Sequence, residues 1–423
     1  MAYLTRVLDA ELDRLIDGGI TAMAIEGPKA AGKTATATQR AATVFELDRP
    51  QVRDLARADP ERLIAADPPV LLDEWQQVPE LWDLVKRAVD QDPAPGRFML
   101  TGSASRNHTG THSGAGRIIR LRMRPMASAE RGASPSVSLE GLLSGQLDAI
   151  AGNSDMRLDR YVEEILASGF PAIRRLGAAA RVAQLDGYIA RVVDRDFAEV
   201  GHEVRRPDVL LRWLRAYAAA VSTTAAFETI RDAATAGDAD KPARTTVGPY
   251  RDALERLWVI EEVPAWGPTK NHLKRLTAAP KHQLADPALA ARLLGLDAGA
   301  LLSGAEPDPI VPRDGTFLGA LFESLVTLDV RVYAQASGAA VHHLRTQRGE
   351  HEIDLIVVRP DQRVVALEVK LSANIDERDV KHLVWLRDQI GDELLDAAVI
   401  TTGEFAYRRP DGIAVIPLAL LGP

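Results

Sequence analysis

The sequence predicts an α/β chain in three parts: a parallel sheet with helices on both faces, a helical region that ends like a winged helix, and a smaller α/β unit. Three observations predict it. Apolar runs of strand length alternate with helically spaced segments from Ile20 to Ser103, residues 155–232 read as helix almost throughout, and the composition shifts after a proline-rich break at 306–315. Strands alternating with helices bury a parallel sheet from both sides. The expected domains are 1–150, 151–305 and 306–423, with a boundary near Ala305.

The elements follow in order. Leu4, Val7, Leu8, Leu12, Leu15 and Ile16 recur at helical spacing and predict a lead-in helix. Residues 20–27 form an apolar run, followed by a glycine loop and by good helix formers from Lys33. Residues 42–48, 68–74 and 97–103 read as strands, with helices expected over 50–66 and 79–91. The polar, glycine-rich stretch 106–116 predicts a mobile loop, and 233–244 a linker. Residues 245–258 predict a helix leading into a short strand, the order found at the end of a winged helix. No internal repeat is visible.

Composition narrows the function classes. At 423 residues, the chain exceeds one small binding module. Its 46% hydrophobic and 26% charged residues exclude wholesale disorder. With no cysteine there is no disulfide framework, thiolate zinc site or cysteine nucleophile. The first twenty residues carry acids where a secretory signal would be apolar, and no stretch has the length of a membrane helix, so a soluble cytoplasmic protein without membrane attachment is expected. A net charge of −8 confines any nucleic-acid contact to one face.

Gly27-Pro28-Lys29-Ala30-Ala31-Gly32-Lys33-Thr34 matches G-x-x-x-x-G-K-S/T in full, between an expected strand and helix. Glycine lets such a loop turn its amides around phosphate oxygens at distances a side chain would block. Lys33 is expected to reach the β- and γ-phosphates of ATP or ADP, and Thr34 to ligate Mg²⁺. The strand PVLLDE brings Asp73 to the carboxyl edge of the sheet as the metal-side acid, with Glu74 the candidate base that orients the attacking water. An Asp-Glu pair after a strand also serves as a helix cap. Thr101, Ser103 or Arg106, after the next strand, is expected to read the γ-phosphate or to be a turn residue.

GPKAAGKT, LLDEWQQVPELWDLVKRAVDQ, FMLTGSAS, AGRIIRLRMRPMASAE and ASGFPAIRRL resemble, in order and spacing, the bacterial and archaeal AAA-type ATPases that carry a C-terminal DUF4143 domain. The resemblance implies ATP binding and slow hydrolysis, a helical and winged-helix middle part, and a last domain like the PD-(D/E)xK nucleases. It also implies that Arg117 or Arg124 acts as a finger toward the nucleotide of a neighbouring subunit in a homo-oligomer.

The last domain carries its own constellation. Glu368 and Lys370 lie two apart on an expected strand and so share a face. Asp354 begins the preceding strand, and Glu323 lies in a helix with the apolar stripe Leu321, Phe322, Leu325 and Val326. Asp354 and Glu368 as metal ligands, Lys370 to orient a hydroxide and Glu323 on a helix match the nuclease pattern that holds Mg²⁺ against a phosphodiester. E-x-K on a strand is also a common solvated edge. His342 and His343 are expected nearby.

Residues 241–282 hold eight Lys or Arg (241, 244, 251, 256, 270, 274, 275, 281) against four acids (252, 255, 261, 262). That segment can dock on DNA or RNA, cover the nucleotide as a lid, or contact a protein. Two functions follow: an ATPase coupled to a metal-dependent nuclease, or a nucleotide-switched DNA- or protein-binding module whose nuclease fold is inactive.

Overall fold

The computed structural model describes residues 3–103, 116–145, 149–201, 206–235, 244–268, 278–302, 315–346 and 349–423. The 106–116 loop apart from its last residue, the 306–315 break apart from its last residue, Arg106, Lys241, Lys270, Lys274, Arg275 and the Ala305 boundary lie outside them.

The first sheet is built from β1 (Ala22–Glu26), β2 (Thr43–Glu46), β3 (Val70–Asp73), β4 (Phe98–Gly102) and β5 (Ile118–Arg122), in the order β2-β3-β4-β1-β5. All neighbours are parallel. The inner strands β3, β4 and β1 bury both faces and read as apolar runs, while the edge strands β2 and β5 stay partly exposed. On one face Met23, Ile25, Leu71 and Met99 pack with Leu8 and Leu12 of the lead-in helix Val7–Asp17. On the other, Ala22, Ala24, Leu72 and Leu100 pack with Leu81, Trp82 and Val85 of the helix Glu80–Gln91. The helix expected over 50–66 divides at Asp59, whose carboxylate caps the second piece, Pro60–Ile64, by accepting from Arg62 N.

The two-residue strands β6 (Val137–Ser138), β7 (Gly152–Asn153) and β8 (Ala265–Trp266) precede β9 (Ala340–Arg345), β10 (Glu352–Val358), β11 (Val364–Val369), β12 (Leu394–Thr401), β13 (Phe405–Arg408), β14 (Ala414–Pro417) and β15 (Leu421–Gly422). The second sheet is mixed and runs β7-β13-β14-β12-β11-β10-β9-β8, while β15 pairs with β6. The C-terminal sheet thus takes both edges from earlier in the chain. Strands of two residues carry no periodic pattern, so the sequence gives no sign of β6 and β7, while β8 falls within the short strand expected after the helix at 245–258.

Between the sheets, Trp213 and Tyr217 of the helix Pro207–Ala219 share one core with Phe322 and Leu325 of the helix Gly315–Ala336 and with Leu355 and Leu367 of the second sheet. The helix Arg244–Arg256 leads past Trp258 (φ 60°) into an antiparallel ribbon, bridged at Ile260 with Leu284 and at Val263 with Lys281. No helix among the described residues is long and apolar enough to cross a membrane.

Candidate active site

The loop Gly27–Thr34 leaves β1 and turns into the helix Lys33–Thr38. Gly32 takes φ 102°, which a side chain disfavours, and Ala30 takes φ 65°. Gly27 is required for a second reason: a Cβ there would lie 2.0 Å from the Met123 carbonyl oxygen. The loop is pinned from both ends of its arc. Lys33 Nζ donates to the Gly27 and Pro28 carbonyls at 3.0 and 2.9 Å, and Arg6 Nη1 donates to the Ala31 carbonyl at 2.8 Å. Burial pushes the Lys33 amine down to about 8, against the opposing charge of Glu74.

Strand register brings the acids to this loop. β3 lies beside β4, with Asp73 opposite Thr101. Thr34 Oγ1 donates to Asp73 Oδ1 at 2.7 Å, and Thr101 Oγ1 donates to the same oxygen. Glu74, at φ 54°, accepts through Oε2 from Gln76 Nε2 and from Ser103 Oγ, the latter at 3.2 Å. A hydroxyl, a carboxylate and a second carboxylate converge beside the loop, a hard-oxygen donor set that suits Mg²⁺.

A cavity of about 850 Å³ opens over the loop, lined by Lys29, Ala30, Gly32, Lys33, Thr34 and Glu74. Gly27, Pro28, Ala31 and Ser103 do not line it. Ser103, expected to read phosphate, turns its hydroxyl to Glu74 because the end of β4 runs beside that residue. Sequence reasoning assigned no role to the cavity's apolar wall, formed by Tyr3, Leu4, Met126, Pro171, Ala172 and Leu176. Its signal was the segment ASGFPAIRRL, a polar-poor turn opening the helix Pro171–Arg174. Lys29 crosses to the helical region, with Nζ 2.6 Å from both Asp196 Oδ1 and Glu199 Oε2.

Of the two expected fingers, Arg124 is committed within its own chain: it forks onto Glu261 at 2.6 and 3.1 Å and donates to Gln335 at 2.8 Å. Arg117 pairs with Asp90 at 2.7 Å on the surface.

The C-terminal residues do meet. Glu323, Asp354 on β10, Glu368 on β11 and Lys370 line one pocket of about 460 Å³, with Glu352, Lys381 and His382 at its rim. His342 and His343 do not line it; His343 sits against the Ala279 carbonyl at 3.0 Å, with burial pushing its imidazole down to about 4. Lys370 Nζ pairs with Glu368 Oε1 at 2.8 Å, and Val369 N donates to Asp354 Oδ2 at 2.9 Å. Burial, joined by the charge of Asp354, raises Glu323 and Glu368 above the usual carboxylate range, opposed by Lys281 beside Glu323 and by Lys370 beside Glu368. The unexpected partner of these acids is Lys281, which does not line the pocket: its side chain is 0% exposed, and its Nζ lies 2.8 Å from Glu323 Oε1 and 3.0 Å from Asp354 Oδ1. Burial disfavours its charge, yet the two carboxylates more than compensate and hold its amine above the ordinary lysine value. Lys281 therefore leaves the basic face expected of residues 241–282, and Arg251 there is paired with Glu255 and Glu262. These carboxylates do not fit a divalent ion as they stand: the oxygens of Glu323 and Asp354 that would bridge it already hold an ammonium. Among the described residues, no group of three or more His, Asp or Glu is placed to hold a metal ion.

Residues 20–131 match the AAA domain, 158–300 a domain of unknown function (DUF8612), and 318–421 a domain of unknown function (DUF4143). An uncharacterized protein of Mycobacterium bovis and one of Mycobacterium tuberculosis are each 27% identical to this chain over 401 residues, covering 93% of it and 79% of the relative. A Walker-type ATPase of Pyrococcus abyssi aligns at 16% identity and a TM-score of 0.40, over 69% of this chain and 96% of that one. The chain thus joins an AAA domain, which carries the phosphate loop, to a C-terminal DUF4143 domain, the combination that its motifs resemble.

Proposed function

We propose that this protein binds ATP with Mg²⁺ and hydrolyses it, in the cytoplasm where ATP is abundant. The observation that carries this reading is the hydrogen bond from Thr34 to Asp73, which joins the phosphate loop to the acid at the end of β3. In this reading Thr34 and Asp73 are the residues that would hold Mg²⁺. Mg²⁺, when bound, offsets charge on the phosphate oxygens. Lys33 leaves the Gly27 and Pro28 carbonyls for the β- and γ-phosphates, while the backbone amides of residues 29–34 surround them. Glu74, oriented by Gln76 and Ser103, accepts a proton from the attacking water. The apolar wall of Tyr3, Met126, Pro171 and Leu176 excludes water from the base, and ADP leaves by the same mouth.

The test compares wild type with Lys33→Ala by calorimetry and phosphate release. Both ATP binding and turnover should be lost, and unchanged affinity would overturn the assignment. For the C-terminal domain, the position of Lys281 favours the second reading: a nucleotide-switched DNA- or protein-binding module whose PD-(D/E)xK-like fold does not cut. The Lys29 bridge to Asp196 and Glu199 supports such control, because phosphate arriving at the loop competes for that lysine. Mg²⁺- or Mn²⁺-dependent cleavage of plasmid DNA, abolished by Asp354→Ala, Glu368→Ala or Lys370→Ala, would instead establish an active nuclease.

A further inference from the structure

The pocket gathers the acids Glu323, Glu352, Asp354 and Glu368, and two of them, Glu323 and Asp354, pair with a fully buried lysine from another part of the chain. Lys281 is not a surface residue that has folded back. Its backbone is fixed in the ribbon: its N–H donates to the Val263 carbonyl at 2.9 Å, and its carbonyl accepts from Val263 N at 2.8 Å. The side chain has no exposed surface, and its nitrogen lies within hydrogen-bond distance of Glu323 and Asp354 and 3.9 Å from Glu352. An ammonium at that distance supplies charge and donors to the carboxylate oxygens that would otherwise need an ion, because a buried carboxylate is retained only when paired. Lys370 does the same for Glu368 at 2.8 Å.

We propose that Lys281 is the resident cation of these two acids: its ammonium replaces a divalent metal between Glu323 and Asp354, and a divalent ion binds there only when that amine is removed. The pocket is then a joint that locks the ribbon to the C-terminal sheet, and its acids are held for that purpose rather than for cutting phosphodiesters. Repulsion between the ammonium and any incoming divalent ion excludes the two from sharing the oxygens. The inference is independent of the ATP reading, since it concerns residues outside the phosphate loop.

The test titrates Mn²⁺ into full-length protein without nucleotide, in an Asp73→Asn background so that the loop acid contributes no ion. Free Mn²⁺ is read by electron paramagnetic resonance, and thermal unfolding is followed in parallel. The Asp73→Asn parent should bind no Mn²⁺ that depends on Asp354. With Lys281→Met added, the chain should bind one Mn²⁺, its unfolding temperature should rise by about 5 °C in millimolar Mn²⁺, and further addition of Asp354→Asn should abolish both effects. No Mn²⁺ response in a folded Lys281→Met protein overturns the proposal. So does Mn²⁺ binding by the parent that Asp354→Asn removes. If Lys281→Met fails to fold, the parent decides alone: absence of Asp354-dependent binding supports the resident lysine, and its presence refutes it.

Discussion

Replacing Glu74 by glutamine removes a proton acceptor while keeping the length of the side chain. The described hydrogen bonds from Gln76 and Ser103 both go to Oε2, so Oε1 is the oxygen left for a water. A positioned general base contributes about 10²–10⁴ in rate, or about 2.7–5.4 kcal/mol of barrier at roughly 1.36 kcal/mol per tenfold. Glutamine can still orient a water and still has its two neighbours, so the lower end applies: phosphate release should slow about a hundredfold. ATP affinity should stay within about threefold, because the base acts on chemistry rather than on ground-state binding. Single-turnover phosphate release and equilibrium binding of a fluorescent ATP analogue measure the two separately. Ser103→Ala divides the possibilities further: if its hydroxyl orients Glu74, turnover falls and affinity holds, whereas a phosphate contact would weaken affinity. Turnover of Glu74→Gln equal to wild type would refute the assignment of the base.

Two further outcomes concern stability. Glu261 is ringed by Arg122, Arg124 and Arg331, with Arg124 forked at 2.6 and 3.1 Å, and these charges hold its carboxyl well below the usual range despite burial. Glu261→Gln leaves buried guanidiniums unpaired and should cost about 3 kcal/mol by urea unfolding at pH 7; no loss would show the cluster to be indifferent. A carboxyl with a lowered value stabilises above its unfolded value of about 4.3, so the penalty should shrink as pH falls through that value. Asp329 has the opposite sign. Burial raises it to about 6, although Ser128 N donates to Oδ1 at 2.9 Å, and Oδ2 has no hydrogen-bond partner. The folded chain binds the proton more tightly than the unfolded one, so ionisation costs stability as pH rises from about 4 to about 6. Asp329→Asn should therefore raise the unfolding temperature at pH 7.5 and lose that gain near pH 4; a gain that is equal at both would contradict the stated cause.

What the sequence determined by itself was whatever depends on neighbours in the chain. The phosphate loop was legible because eight consecutive residues carry it, and a glycine at Gly32 permits the positive φ that the turn needs. Four strands of the first sheet were legible as apolar runs, whereas the partly exposed edge strand β5 was not expected, and Glu368 and Lys370 were legible as one face because strand side chains alternate. The tertiary structure decided which distant groups meet. Lys281 stands 42 residues from Glu323 and 73 from Asp354, and in the sequence it reads as one cation in a basic segment. Arg124 likewise meets Glu261 across 137 residues, which turns an expected finger into an internal tie. The wall of the cavity comes from Tyr3 and Leu4 at one end and Pro171 to Leu176 far along the chain, and the edges of the second sheet are pairs of residues too short to show a period. Periodicity reports backbone geometry over a few residues; the partner of a side chain is set by how the strands are ordered and crossed, and no local pattern carries that order.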